Sequence, residues 1–228
     1  MEQMLFQLLN QQWIHPALDR GMAVLSDFSV WKPVLGAAAV LAAALGGTRG
    51  RIWLLLTVAI VLFNDNAISY PLKRITQRAR PYEAQANVRT LSLNHTNGTL
   101  QSILLPPTVK SSPAPAQDRP SKGRSFPSSH TFNMVALAWV TYRFAPAVGR
   151  WLLPLPFLMA WSRIYTGSHW PGDVAVPLLV GPVLNEALLR LLNGIWTSRI
   201  ARDGTRLHAS CPSLIPPPPP SEANPSPQ

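Results

Sequence analysis

Apolar residues along this chain collect in long blocks, and polar and proline residues collect between and after them. A helix that crosses a bilayer needs about 20 mostly apolar residues. Five blocks approach that length once their flanks are included, and they are centred on residues 34–45, 52–63, 131–145, 151–161 and 174–192. The pattern therefore predicts an all-α fold, an integral membrane helical bundle of about five transmembrane helices within residues 31–195.

Residues 4–30 mix apolar and polar side chains at roughly helical spacing. That pattern is typical of an amphipathic helix lying in the membrane interface. Pro16 predicts a break or a kink within it. Residues 1–30 are therefore expected to form an interfacial amphipathic helix that precedes the transmembrane core.

Two stretches carry no membrane span. Residues 82–124 are rich in Pro, Ser, Thr and Asn, and a loop of this length is commonly either a functional lid or disordered. Within it, residues 88–93 and 99–105 flank an Asn97-Gly98 pair, which predicts a small β-hairpin. Residues 196–228 are polar and proline-rich and are expected to form a disordered tail.

The net charge of +10 narrows the choice of partners. Basic residues stand at the ends of the apolar blocks, and the recognised nucleic-acid motifs do not accompany them. We therefore expect the lipid bilayer and a phosphorylated lipid as partners, and no nucleic acid. The single cysteine, Cys211, argues against a disulfide framework and against a thiolate metal cluster.

Basic residues also suggest an orientation. The short loops on one side of the five predicted spans carry arginines, and the positive-inside rule assigns that side to the cytoplasm. These residues are Arg49, Arg51, Arg143 and Arg150. The opposite, outer face receives three polar motifs.

The first motif is the basic segment 73–81. Lys73 and Arg80 are seven residues apart, about two helical turns, so both can project from one face of a helix that Pro81 would end. Such a pair suits phosphate oxygens. The alternative is a basic patch beside the membrane for anionic lipid headgroups.

The second motif, Ser128-Ser129-His130, directly precedes an apolar helix. Serines cap helix N-termini, and the free amides there bind anions, so His130 would stand beside a bound phosphate. A plain capping motif with an incidental histidine is the alternative.

The third motif joins Arg163, His169 and Asp173. Pro171 is expected to open the fifth span, with Asp173 reaching back to His169 from the first helical turn. A lone histidine at an interface more often serves packing, but its coincidence with two phosphate-type motifs on the same face favours chemistry.

Together these residues resemble the phosphatidic acid phosphatase type 2 superfamily, whose three-part signature also occurs in vanadium haloperoxidases. The matching parts are Lys73 to Arg80-Pro81, Pro127-Ser128-Ser129-His130, and Ser162-Arg163 to His169 and Asp173. Ser129 departs from the pattern because the family usually has glycine there. We expect it to tune phosphate binding without abolishing activity.

The resemblance implies a role for each site residue. His169 would attack phosphorus to form a phosphohistidine, Asp173 would orient His169, and His130 would protonate the leaving group. The phosphate oxygens would be held by Lys73, Arg80, Ser128, Ser129 and Arg163. The resemblance implies neither a metal nor another cofactor.

The expected function is metal-independent hydrolysis of a lipid phosphate or diphosphate ester. Candidate substrates are a polyprenyl diphosphate, phosphatidate, phosphatidylglycerophosphate or lipid A. The build resembles small bacterial members, which suggests a bacterial inner membrane with the site on the periplasmic or outer face. The alternatives are a lipid phosphotransferase using the same site and a catalytically silent lipid-binding membrane protein.

Overall fold

A computed structural model describes residues 1–95, 99–114, 124–200 and 205–215. The helices of its N-terminal part are α1 (Glu2–Gln7), α2 (Pro16–Ser26), α3 (Phe28–Leu45), α4 (Gly47–Phe63), α5 (Tyr70–Thr76) and α6 (Pro81–Ala84). Those of the C-terminal part are α7 (Thr99–Leu104), α8 (Ser129–Phe144), α9 (Pro146–Leu152), α10 (Leu155–Tyr165), α11 (Pro171–Ile195) and α12 (Arg206–Ser210). The π-helical segments Leu8–Gln12, Asn64–Ser69 and Trp196–Ile200 continue α1, α4 and α11.

Within the described ranges, three helical segments are long and apolar enough to cross a membrane, namely Phe28–Leu45, Gly47–Ala84 and Pro171–Ile200. The other two apolar blocks form α8, of 16 residues, and α10, of 11 residues. Large apolar side chains on α3, α4, α10 and α11 point outwards, as lipid surroundings allow. The expected helical membrane bundle is confirmed, and the total of five spans stays a prediction.

Helix α8 lies at the centre of the bundle, where it contacts α4, α10 and α11. Ile60, Val140 and Leu189 meet there in one apolar cluster and are almost fully buried. Gly181 allows α8 and α11 to approach closely, because a Cβ at this position would lie 2.8 Å from Cγ1 of Val135. The N-terminus of this central helix carries the second polar motif.

Polar pairs join the π-helical segment Asn64–Ser69 to these neighbours. Nδ2 of Asn64 donates to Oδ1 of Asn185 at 3.0 Å, and Nδ2 of Asn133 donates to Oδ2 of Asp65 at 3.0 Å. Polar side chains inside a membrane bundle pair across helices in this way. The pairs align α4, α8 and α11 just before the chain reaches the basic segment.

The N-terminal segment is broken in two, as Pro16 predicted. Pro16 opens α2, and Nδ1 of His15 accepts a hydrogen bond from the amide of Ala17 at 3.2 Å. Phe6 and Asn10 are fully buried, the latter donating to the carbonyl oxygens of Arg89 and Tyr165. The segment therefore packs against the bundle around the third motif, while its place in the membrane interface stays a prediction.

The hairpin expected in the 82–124 loop is wrong in its second strand. Strands β1 (Arg89–Ser92) and β2 (Thr108–Ser111) pair antiparallel, with Arg89 opposite Ser111, whereas residues 99–104 form α7. The Asn97-Gly98 turn lies outside the described residues. Val88 and Leu93 at the ends of β1 are buried, so tertiary packing selects the register.

The C-terminal segment also differs from the expected disordered tail. Helix α12 folds back, and Cys211 and Leu214 pack in an apolar cluster with Ile52 and Phe144. Indole Nε1 of Trp196 donates to the carbonyl of Cys211 at 2.8 Å. Disorder is therefore the wrong expectation for residues 205–215, and residues 216–228 lie outside the described part.

Candidate active site

Lys73 and Arg80 do not share one continuous helix, so that part of the sequence interpretation is wrong. Helix α5 ends at Thr76, and Gln77 follows in the left-handed region with φ 43°. Pro81 begins the short helix α6 instead of ending a long one, since its fixed φ suits a first helical position. Lys73 and Arg80 nevertheless interact electrostatically, because the chain turns back between them.

The second motif lies where the sequence placed it, at the N-terminus of α8. Ser128 is the N-cap residue, but its side chain makes no capping hydrogen bond. Its Oγ instead accepts from the Thr131 hydroxyl at 3.1 Å. The first amides of the helix therefore have no N-cap side chain bound to them, which suits an anion.

Ser129 is in direct contact with the first motif. Nζ of Lys73 donates to Oγ of Ser129 at 2.6 Å. A glycine at this position would offer no such acceptor. The departure from the family pattern therefore links the lysine to the α8 N-terminus.

The third motif is shaped by the turn between α10 and α11. Gly167 has φ 72°, and a Cβ there would lie 2.5 Å from the Arg89 carbonyl oxygen, so the position needs glycine. The turn brings the amide of His169 to the carbonyl of Arg163 at 3.1 Å. Helix α11 then opens at Pro171, as predicted, with Asp173 in its first turn.

These elements bring the predicted site residues together. His130, in the second motif, interacts electrostatically with the cations of the first and third motifs and with His169. We call Lys73, Arg80 and Arg163 the cation cluster. Like charges this close repel one another unless an anion lies among them.

Arg163 is buried and held from one side only. Its Nη1 donates to the carbonyl of Ser26 at 3.1 Å and also contacts the Ser26 hydroxyl, while its buried Nε has no partner among the described residues. A buried donor without a partner costs free energy that a ligand can recover. In the described residues no group of three or more His, Cys, Asp or Glu could hold a metal ion. The chemistry of these side chains suits a phosphate.

Asp173 stands behind His169. Its Oδ2 lies 3.6 Å from Nδ1 of His169, a distance that shortens readily when a substrate binds. The same oxygen accepts from the Ser125 hydroxyl and from the Trp170 amide at 2.9 Å. Oδ1 accepts from Nη1 of Arg78 at 2.9 Å. With Nδ1 facing the carboxylate, Nε2 is the nitrogen left for chemistry.

His169 is neutral over most of the pH range. Burial disfavours the imidazolium, and the Arg163 and Arg80 guanidinium groups add repulsion, which together lower the pKa of His169 from 6.5 to about 4. The Asp173 carboxylate opposes this shift without cancelling it. A neutral imidazole is the form that can act as a nucleophile.

Sequence reasoning missed four residues that support the site. Glu2 binds Arg78, and Ser26 binds Arg163. Arg78 and Ser125 both bind Asp173. Arg78 and Ser125 lie inside or beside the motifs, so their position was the available signal. Glu2 and Ser26 had none, since they reach the site through folding alone.

The chain is similar in sequence and in fold to known proteins. The sequence profile of the PAP2 superfamily matches residues 52–194. Bacitracin transport permease protein BcrC of Bacillus licheniformis is 35% identical over 74 residues, covering 32% of this chain and 34% of that protein. YbjG of Escherichia coli (strain K12), provisionally named undecaprenyl-diphosphatase, is 41% identical over 64 residues, covering 26% of this chain and 30% of its own.

The crystal structure of Aquifex aeolicus LpxE superimposes with a TM-score of 0.56 at 21% identity, covering 82% of this chain and 94% of that one. This likeness concerns the fold. The two aligned sequences above each match over only about a third of their own length. The profile match spans more than half of the present chain and includes all three motifs, so the protein belongs to the PAP2 superfamily.

Proposed function

We propose that the protein is a membrane lipid phosphatase that hydrolyses a lipid phosphate or diphosphate ester. The observation that carries the proposal is the cation cluster gathered around two histidines, one of them backed by a buried carboxylate. Phosphoryl transfer depends chiefly on positioning and on charge stabilisation. Family membership supports the same reading.

The proposed reaction has two steps. Nε2 of His169 attacks phosphorus and displaces the lipid alcohol or lipid phosphate. The negative charge of the bound phosphate favours the imidazolium form of His130, which delivers its proton to that leaving group. Asp173 keeps the remaining imidazole proton on Nδ1 and stabilises the positive charge that develops. Water, deprotonated by His130, then cleaves the phosphohistidine and releases phosphate.

The oxygens of the transferred phosphoryl group carry the charge that the site must hold. Lys73, Arg80 and Arg163 are fixed before the reaction, so they stabilise that charge without rearranging. The amides at the start of α8, with Ser128 and Ser129, complete the binding surface. This reading needs no metal.

A lipid substrate is supported by an apolar groove beside the site. The groove encloses about 610 Å³ between α1, α10 and α11, and its lining includes Leu9, Ile164 and Leu178. It reaches Pro171 and Gly172, directly before Asp173. Among lipid phosphates we favour a polyprenyl diphosphate, since one relative is named for undecaprenyl diphosphate.

The distribution of basic residues supports an orientation of the protein in the membrane. The site lies at the end of the bundle opposite the loops that carry Arg49, Arg51, Arg143 and Arg150. By the positive-inside rule those loops face the cytoplasm. We therefore place the protein in a bacterial inner membrane with its site on the periplasmic face.

Purified protein in detergent with EDTA, assayed against a panel of phospholipids and polyprenyl diphosphates, tests the proposal. Phosphate release is expected from at least one lipid, and His169→Ala is expected to abolish it. Release that persists in His169→Ala, or that stops with the chelator, contradicts the mechanism. Transfer of phosphate to an added lipid acceptor identifies a phosphotransferase, and no turnover of any lipid identifies a silent lipid-binding protein.

A further inference from the structure

Glu2, at the start of α1, joins two parts of the site that are remote in sequence. Its Oε2 accepts from Nη2 of Arg78 at 2.6 Å, and its Oε1 accepts from the amide of Gly172 at 2.9 Å. Gly172 makes room for this carboxylate, because a Cβ there would lie 2.8 Å from Oε1. A negative charge at the N-terminus of α11 is also favourable to the helix dipole.

Arg78 is thereby shared between two carboxylates. Its Nη2 is taken by Glu2, and its Nη1 donates to Oδ1 of Asp173 at 2.9 Å. The guanidinium also lies 5.7 Å from the ring centroid of Trp170, which limits its rotation. Asp173 is fully buried, whereas the side chains of Arg78 and Glu2 are 32% and 39% exposed. The bridge therefore runs from the surface to the buried carboxylate.

The sharing decides which oxygen of Asp173 remains for His169. An arginine beside a single carboxylate commonly binds both of its oxygens with a planar pair of N–H groups. Here one of those groups is engaged by Glu2, so Arg78 binds Oδ1 alone. Oδ2 is left to Ser125, the Trp170 amide and Nδ1 of His169.

We infer that Glu2 is a positioning residue for catalysis, which keeps Arg78 on one oxygen of Asp173 so that the other can orient His169. The inference rests on the proposed function, since it concerns the same histidine. Without Glu2, Arg78 turns to bind both oxygens and competes with His169 for Oδ2. The result is a histidine with an unfixed ring, and the loss falls on the chemical step.

Steady-state kinetics of Glu2→Gln with the lipid that wild-type protein turns over tests this. Because coupling between neighbouring groups in a network spans roughly 2- to 100-fold, we expect kcat to fall about tenfold. KM is expected to stay within about twofold, since the cation cluster is untouched and glutamine keeps the size of a side chain that also lines the apolar groove. Glu2→Asp, which keeps the charge, is expected to recover part of the loss.

Arg78→Lys provides a second variant, because lysine keeps the charge but lacks the planar fork needed for two carboxylates. Its kcat is expected to fall to a similar extent. Adding Glu2→Gln to Arg78→Lys is expected to cause little further loss, since the two act through one route. Full additivity of the two losses overturns the inference even if one single variant folds poorly.

Glu186→Gln is the matched control. Glu186 also bridges two arginines, with Nε of Arg143 at 3.0 Å and Nε of Arg190 at 2.8 Å, but near the other end of α11. It is expected to leave kcat unchanged. Wild-type kcat in Glu2→Gln, or a rise in KM alone, overturns the inference while leaving the phosphatase proposal intact. Lack of turnover by wild type overturns both.

Discussion

The two sides of His169 are built on opposite principles. On the side of the cation cluster, three like charges and two histidines lie together, and the buried Nε of Arg163 has no partner in the part of the chain that the structure describes. On the side of Asp173, every charge has an opposite partner and both carboxylate oxygens accept hydrogen bonds. The first side is suited to a charge that the substrate brings, and the second holds the Asp173 carboxylate in place before the substrate arrives.

A contrast between groups that bind the substrate and groups that orient the nucleophile is general in enzymes. A cluster of like charges destabilises the folded protein, so it is retained where a bound ligand of opposite charge neutralises it. Groups that orient a nucleophile must be rigid, so their hydrogen bonds are satisfied within the protein. Substitutions on the two sides are therefore expected to affect different kinetic constants.

The largest effect is expected on the satisfied side. Asp173→Asn keeps the size of the side chain but replaces an acceptor with a donor, which favours the wrong tautomer of His169, so kcat is expected to fall about 10³- to 10⁴-fold. Phosphate release under single-turnover conditions measures this. Glu186→Gln, which changes a carboxylate near the other end of α11, is the control. A loss below tenfold in Asp173→Asn would remove Asp173 from the orienting role.

The next effect concerns the unbalanced side. Arg163→Lys keeps the positive charge, but lysine lacks the planar guanidinium group that can bind Ser26 and phosphate at the same time. We therefore expect kcat/KM to fall about 10²-fold. Arg150→Lys, at the other end of the bundle, serves as the control. Equal rates for wild type and Arg163→Lys would mean that charge alone, and not geometry, matters in the cation cluster.

The pH dependence of stability tests the lowered pKa of His169. His169 is neutral when folded, because its pKa is lowered to about 4, and it regains a value near 6.5 when unfolded. The unfolded state therefore binds the extra proton between these values, and folded protein loses stability as pH falls from 6.5 towards 4. At pH 5 this amounts to about 2 kcal/mol.

Thermal unfolding in detergent, without phosphate buffer, measures that loss. Wild type is expected to lose about 5 °C more than His169→Gln between pH 7 and pH 5. Parallel curves for the two proteins would show that burial and the neighbouring arginines do not hold His169 neutral in the folded protein. Activity data are not needed for this comparison.

The smallest effect is expected at Ser129, whose hydroxyl contacts Lys73 of the cation cluster. Ser129→Gly removes the hydroxyl that holds Nζ of Lys73 at 2.6 Å. Since a neutral partner of a charged group contributes about 1 kcal/mol, KM is expected to rise up to about fivefold with kcat unchanged. A fall in KM would show instead that the hydroxyl competes with phosphate for Lys73. Ser121→Gly, outside the three motifs in sequence, is a control for the substitution itself.

Much of the architecture could be predicted from the chain. The apolar blocks predict the helical bundle because hydrocarbon surroundings demand internally bonded helices. The opening of α11 at Pro171 was also predictable, since proline favours the first helical position. The predicted continuous helix from Lys73 to Arg80 failed because Gln77 adopts a left-handed conformation that no local residue pattern announces.

The predicted hairpin failed for a related reason. The segment after Asn97-Gly98 has a local pattern that suits either a strand or a short helix, and the packing of β1 against the bundle selected β2 as its partner. The C-terminal segment likewise folds because Cys211 and Leu214 find an apolar cluster built by distant helices. Long-range burial overrode local composition in both cases.

The types and spacings of Lys73, Arg80, His130, Arg163, His169 and Asp173 were enough to name a phosphate chemistry, because each motif is local. The chain alone did not show how they are held. Glu2 reaches Gly172 across 170 positions, and Arg163 reaches Ser26 across 137. Such contacts depend on which helix faces are brought together, and that is decided by packing of the whole bundle.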